Sequence, residues 1–385
     1  MSKHSFLTYS ILIGWWVLSA CQEQPAAVNQ SQVVANWTLV DSLVLESNPA
    51  DTLFEGWPYY GDSSFYVVSF LHDFKARRYD LEGNKRSIIG KGRGKGPGEL
   101  LFLQALGVVD SLVGLFDVLS QSLMLYDTSG EPLRPIKFES TDPASGKAYS
   151  INADNRIFNY YQGKFYSLVG YLKTSHRKPE YYEYPFLSIH DRTGKLLRVV
   201  GERDSAYHEK LMAYQYKVSI SIDSFAERIL VSQPVSHTWE TYDLEGNFVA
   251  RYGEPGSYIA DQTWEGISFE GNPQTPEQRR QFIDLIFQSP KYHHLTALPS
   301  GHVIRSYSRG VGDYEGMMNF LDKPHFLQIY DAGGKLISDA PAPDFYFMPV
   351  AVMDGDLWVN LARSYDPETY RYTLYRCRLE IQGWK

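Results

Sequence analysis

The chain has 385 residues, 43% of them hydrophobic and 15% aromatic, which is enough for a large core. Its formal charge is −8 with no basic stripe, which argues against a nucleic-acid partner. With only Cys21 and Cys377 present, no disulfide framework can hold the fold.

Residues 1–20 read as a signal peptide. Lys3 and His4 form a short basic start, Phe6 to Leu18 an apolar stretch, and Leu18-Ser19-Ala20-Cys21 has the form of a lipobox. The apolar stretch is short for a membrane span. Cys21 is therefore expected to become the lipidated first residue, and residues 21–36, rich in Gln and Ala, a flexible tether. Cys377 then stands alone in an alternating terminal strand, where a buried thiol is expected.

Residues 37–385 read as one domain. Thr38 to Leu45 is a strand ahead of the first complete unit, expected to finish the last blade of a closed ring so that no sheet edge stays open. The next strands lead into Tyr79-Asp80-Leu81-Glu82-Gly83-Asn84, which recurs unchanged at Tyr242-Asp243-Leu244-Glu245-Gly246-Asn247. Looser copies begin at Tyr126-Asp127, His190-Asp191 and Tyr330-Asp331. Each has an alternating apolar run before it and a short run after it, giving strand, turn, strand. The Asp is expected to accept bonds from backbone N–H groups two and three residues on, and the Gly to supply a positive φ. Gly90, Gly201 and Gly253 extend the pattern ten residues beyond Asp80, Asp191 and Asp243.

Five such units and a degenerate sixth, at Leu357 to Val359 and Tyr372 to Tyr375, predict an all-β, six-bladed β-propeller, because units of roughly 40–50 residues with four strands each are propeller blades. After the first blade comes Gly90-Lys91-Gly92-Arg93-Gly94-Lys95-Gly96-Pro97-Gly98-Glu99. Blade three contains a charged, Tyr-rich excursion from Lys173 to Tyr184. The longest interval, between Asp243 and Asp331, is explained by an inserted amphipathic helix at about 275–288. Thr275-Pro276-Glu277-Gln278 has the form of a capping box, Phe282, Ile283, Ile286 and Phe287 recur at helical spacing, and Ser289-Pro290 stops the pattern. Its apolar side is expected to be buried on one face of the propeller.

The lipobox, the Tyr-Asp-x-x-Gly turns and Gly96-Pro97-Gly98-Glu99 together resemble the six-bladed propeller lipoproteins of the Bacteroidota, relatives of the NHL-repeat propellers. The resemblance covers nearly the whole mature chain and implies the fold and an envelope location, with no agreed activity to carry over. Gln22-Glu23-Gln24 lacks the acidic run associated with surface export in that phylum, which points to the periplasmic side of the outer membrane.

Candidate sites follow from residue chemistry. Lys91, Arg93 and Lys95, spaced by glycines, could surround an anion in a backbone nest, or the loop could be a connector with solvated cations. Tyr160, Tyr161, Tyr181 and Tyr182 could stack on a ligand, or could fill the wedges between blades. His293 and His294, adjacent on a strand, are expected to face opposite sides, while His302 and His325 of the same blade could approach. Asp354 and Asp356 read as turn formers. With no zinc-ligand spacing and no Gly-x-Ser-x-Gly elbow, neither a metal nor a cofactor is expected and no catalytic residue can be named. The reading is a monomeric, lipid-anchored binding or scaffold module for a glycan, peptide or protein at a channel mouth, with an acidic glycan the expected partner of the loop cations. The alternative is a lyase or hydrolase with its active site in the central channel.

Overall fold

A computed structural model describes residues 35–46, 56–70, 72–152, 157–212, 215, 217–269, 275–313, 323–343, 347–361, 364–366, 368–369 and 371–381. The signal peptide, Cys21 and most of the tether lie outside them. Six antiparallel sheets succeed one another along the chain. Blade one is β2 (Gly56–Gly61), β3 (Ser64–Ser69), β4 (Lys75–Tyr79) and β5 (Lys85–Ile89). Blade two is β6 (Leu103–Val109), β7 (Leu112–Asp117), β8 (Ser122–Tyr126) and β9 (Pro132–Lys137). In blade three, β10 (Tyr149–Asn152) and β11 (Asn159–Tyr161) share the innermost position beside β12 (Lys164–Tyr171), followed by β13 (Leu187–Asp191) and β14 (Leu196–Val200). Blade four is β15 (Ser219–Asp223), β16 (Arg228–Ser232), β17 (Trp239–Asp243) and β18 (Phe248–Tyr252). Blade five is β19 (Lys291–Ala297), β20 (Val303–Ser308), β21 (His325–Tyr330) and β22 (Leu336–Pro341).

Blade six joins the two ends of the chain. β23 (Phe347–Met353), β24 (Asp356–Leu361) and β26 (Arg371–Ile381) come from the C-terminal end, with the short β25 (Tyr365–Asp366) beside β26. β1 (Ala35–Leu45) supplies the outermost strand, Leu39 facing Cys377 and Leu45 facing Tyr372. The protein is a six-bladed β-propeller closed as expected, its ends held by strand pairing in place of a covalent bond.

The five turns share one geometry. Asp80, Asp127, Asp191 and Asp243 each accept from the backbone N–H two residues on, and all five turn aspartates from the N–H four residues on, at 2.8–3.1 Å. The expectation of a bond three residues on is corrected: that N–H, on the Gly, goes to the Asp backbone carbonyl instead. The glycines lie at φ between +81° and +96°, and the sheet register shifts at each turn. A positive φ there reverses the chain and leaves a bulge, which turns the fourth N–H back toward the carboxylate.

Each wedge between neighbouring blades holds its own apolar cluster. Phe116, Phe138, Phe158 and Phe165 fill that between blades two and three, and Trp239 meets Tyr330 between four and five. Most tyrosines of the repeat are core residues of this kind: Tyr79, Tyr126, Tyr242 and Tyr330 are buried. Cys377 is a buried free thiol in the wedge between blades five and six.

Helix α2 (Pro276–Gln288) follows a short α1 (Ala206–Glu209) in the chain and begins with the expected capping box at Thr275 and Gln278. Its burial differs from expectation. Leu285 is the buried anchor, and Ile283 is 49% exposed. The helix is pinned at its C-terminal end, where Lys323 Nζ donates to Ile286 O and Ser289 O and Val311 N to Phe287 O. The Lys323 amine on the last carbonyls satisfies groups that have no partner within the helix.

Candidate functional site

Strand alternation sends the connections of a blade to two faces. The turns from first to second and from third to fourth strand share one face and are tight, such as Asp62-Ser63 and Asp354-Gly355. The opposite face carries the second-to-third connections and the crossovers between blades. It therefore holds the glycine-rich loop 90–102, the excursion 172–186, and the described residues of the crossover 201–218, of the crossover 253–290 with α2, and of the connection 309–324. Binding and catalytic residues are disproportionately found on loops displayed by a rigid scaffold.

These loops are packed together. Tyr182 stacks on Tyr207 at 5.2 Å and 7°, and both lie in a cluster with Met212, Val235, Trp264 and Phe269. Tyr182 donates its hydroxyl to His176 O, and Tyr207 donates to Gln215 O. Arg203, buried, has its guanidinium 5.0 Å from the Tyr181 ring, 5.5 Å from Tyr182 and 6.0 Å from Tyr207. Aromatic faces stabilise a cation that has left water, and they fix the plane of the guanidinium.

Over this layer opens a cavity of about 300 Å³. Ser150 and Asn152 of β10, the Leu168–Tyr171 end of β12, Leu172, Thr174, Ser175, His176 and Tyr181 of the excursion, and Arg203 and Lys217 of the crossover line it, with Gln104 of blade two. Burial, with Arg177 and Lys217 nearby, lowers the pKa of His176, so its ring is neutral at pH 7. The wall thus combines aromatic faces, amides and hydroxyls with the basic side chains of Arg203 and Lys217. Among the described residues no carboxylate lines it.

The central channel is different. A cavity of about 360 Å³ runs along the inner strands, lined by Tyr60, Asn159, Ser219, Ser221, Ser224, Phe225, His294, Thr296 and the apolar run of β23. Asp223 is the carboxylate of those strands, and it is turned away, paired with Arg228 at 2.9 Å and accepting from Phe225 N and Ala226 N. Burial pushes His294 down to about 4, too weak a base for general acid–base work at neutral pH. Among the described residues the channel wall assembles no acid and base pair.

The sequence candidates fall in different places. Tyr181 lines the loop-face cavity and Tyr182 supports it from below, whereas Tyr160 and Tyr161 lie at the tight-turn face, near Asp110 and Ser224 O. Lys91, Arg93 and Lys95 are exposed, and none lines either cavity. Lys91 pairs with Glu131 at 3.0 Å, and Arg93 lies 5.7 Å from the Phe74 ring. The loop closes on itself: Gly96 N donates to Glu99 Oε2 at 2.7 Å, and a Cβ on Gly94 would overlap that carboxylate.

Three further readings change. A bulge between Tyr292 and Leu295 breaks the alternation that was to separate His293 from His294, and their rings stand 6.3 Å apart. His325 stacks on His293 at 4.9 Å, while His302, at the other end of the blade, bonds Ser300. Asp356 is a buried anchor for Arg376 and Arg378 rather than a turn former. Arg203, Lys217, Gln104 and Asn152 carried no sequence signal; the run Lys173 to Lys178 in the excursion was the nearest hint.

The ring and its single elaborated face define the class, a six-bladed propeller with a loop-face cavity. Among solved structures it is similar to a member of the DUF4221 family from Bacteroides vulgatus, at 12% identity over 91% of this chain and 99% of that one, with a TM-score of 0.66. A protein of Bacteroides fragilis described as exported matches at 11% identity over 91% and 96%, with a TM-score of 0.53. At such identities the likeness is one of fold. No family model and no curated protein matches the chain.

Proposed function

We propose that this chain is a binding module of the cell envelope, anchored through a lipid on Cys21, with a small ligand seated in the loop-face cavity. The observation that carries the reading is the contrast between two spaces. The cavity has a wall fixed by an aromatic layer, while among the described residues the channel wall shows no paired acid and base. At about 300 Å³ the cavity lies at the lower end of the roughly 300–1,000 Å³ of small-molecule sites. It suits a ring or two rather than a folded protein.

Ligand-observed NMR with sugars, sugar acids and short peptides tests this. A ligand should bind reversibly and unchanged, and Tyr181→Ala should weaken it by roughly tenfold or more, the usual order for a lost stacking aromatic. Turnover of the bound compound on long incubation would favour the enzyme instead.

The anchor is tested separately. Cys21→Ser should move the protein from the membrane fraction to the soluble one, because stable anchoring needs more than one acyl chain. The Bacteroides fragilis neighbour is described as exported, and among the described residues no helix is long and apolar enough to cross a membrane. The first agrees with an envelope or secreted protein. A membrane fraction unchanged by the substitution rules the lipid out.

A further inference from the structure

We infer that the central channel is a second binding site, for an uncharged saccharide of one or two rings that enters from the tight-turn face. It shares no lining residue with the loop-face cavity, and it stands or falls apart from that reading.

The first support is where the space lies. Its lining follows the inner strands and ends at Ser224 and Phe225 of the turn from β15 to β16, with Tyr60 just before the turn from β2 to β3. Phe225 is 54% exposed there, so an aromatic ring stands at the mouth. At about 360 Å³ the space falls within the range of small-molecule sites. The second is its lack of charge. Among the described residues no lysine, arginine, aspartate or glutamate lines it, and burial keeps the His294 ring neutral at pH 7. An ion entering such a space gives up water and meets no opposite charge, a cost that a neutral compound does not carry.

The third is the division of the wall. β15, β19 and β23 are each paired on one side only, so their other edge turns backbone N–H and C=O groups toward the channel. Beside these edges stand the hydroxyls of Ser221 and Thr296 and the amide of Asn159, which donate and accept at once. β23 adds an apolar run from Met348 to Val352. A saccharide carries the same two chemistries, hydroxyls around its edge and C–H groups on its faces, and the Phe225 ring offers a flat surface to the latter. An apolar ligand would meet the β23 run and leave the strand edges and hydroxyls unused.

Ligand-observed NMR of the folded protein with glucose, maltose and glucuronate tests the inference. Glucose and maltose should bind with affinities that do not change with salt, and glucuronate at least tenfold more weakly than glucose. Thr296→Val removes one hydroxyl and keeps the shape, and should weaken maltose about threefold to tenfold, the worth of one hydrogen bond. Phe225→Ala should weaken it by a similar factor, and Tyr181→Ala should leave it unchanged. Phe225 is exposed, so its variant decides the matter alone if melting curves show that Thr296→Val does not fold. Failure of glucose and maltose to bind overturns the inference and leaves the loop-face reading to its own screen. Maltose binding lost in Tyr181→Ala and kept in Phe225→Ala overturns it as well, since the sugar then sits in the loop-face cavity. Glucuronate binding as tightly as glucose overturns the selection for an uncharged ligand. An N-acetylated trialanine amide that binds more tightly than maltose also overturns it, and makes the strand edges a peptide site.

Discussion

Arg305→Met is expected to cost about 3–5 kcal/mol of stability, the loss of several hydrogen bonds from a charged donor less the relief of burying its charge. Arg305 on β20 is fully buried, with its guanidinium 3.6 Å from the centre of the Tyr292 ring. Nε donates to Ser232 Oγ, Nη1 to His237 O, and Nη2 to Ser236 O and Thr238 O, at 2.6–3.0 Å. The side chain of blade five thus ties down the 233–238 connection of blade four. Methionine fills much of the volume but leaves one buried and two part-buried carbonyls without this donor, the buried one worth roughly 1–3 kcal/mol and the others less. Relief of the buried charge offsets part of that loss, which keeps the net figure below the sum. Arg305→Lys should fall in between, since one ammonium cannot reach four acceptors spread along the loop. Urea unfolding measures both. A shift under about 1 kcal/mol for the methionine variant would show that the connection holds itself in place.

The second large effect separates two glycines that the sequence makes identical. Gly83 and Gly246 occupy the same place in the repeated hexapeptide, at φ of +87° and +84°. Any Cβ there carries the left-handed strain, roughly 1–2 kcal/mol. Their surroundings differ. A Cβ on Gly83 would overlap the carbonyl oxygen of Val44, in the β1 strand that closes the ring, and Glu46 N donates to Gly83 O at 2.8 Å. A Cβ on Gly246 meets the side-chain tips of Ile189 at 2.8 Å and Val200 at 3.2 Å, which can move. Gly83→Ala should therefore cost about 2–4 kcal/mol, strain plus backbone displacement, and Gly246→Ala about 1–2 kcal/mol. Gly83→Ala should also raise amide exchange in β1, because the blade-six edge is what must yield. Equal costs for the two variants would leave backbone strain as the whole effect and remove the blade contact from the account.

Much of the fold could be read in the chain because a propeller repeats its local chemistry. Asp-x-x-Gly with an alternating run on either side encodes a hairpin through contacts within a few residues, and five copies with a degenerate sixth unit give the ring its count. The capping box of α2 was legible for the same reason. The inner strands were less so. β2 contains Gly56, Pro58 and Gly61, and β19 carries Lys291, His293 and His294, so neither has the alternation of a strand. They are strands because the neighbouring β3 and β20 offer unpaired backbone groups, a demand made by the partner.

The candidate site divides along the same line. The sequence by itself determined the repeat, the turn glycines and the excursion that carries Tyr181 and Tyr182, because each depends on neighbours in the chain. Only the tertiary structure decided that Tyr181 lines a cavity while Tyr160 lies at the other face, and that Arg203 and Lys217 join Gln104 from another blade. The physical reason is the alternation of connections between two faces. It gathers segments far apart in the chain onto one mouth, and no local pattern records which of their side chains will meet there.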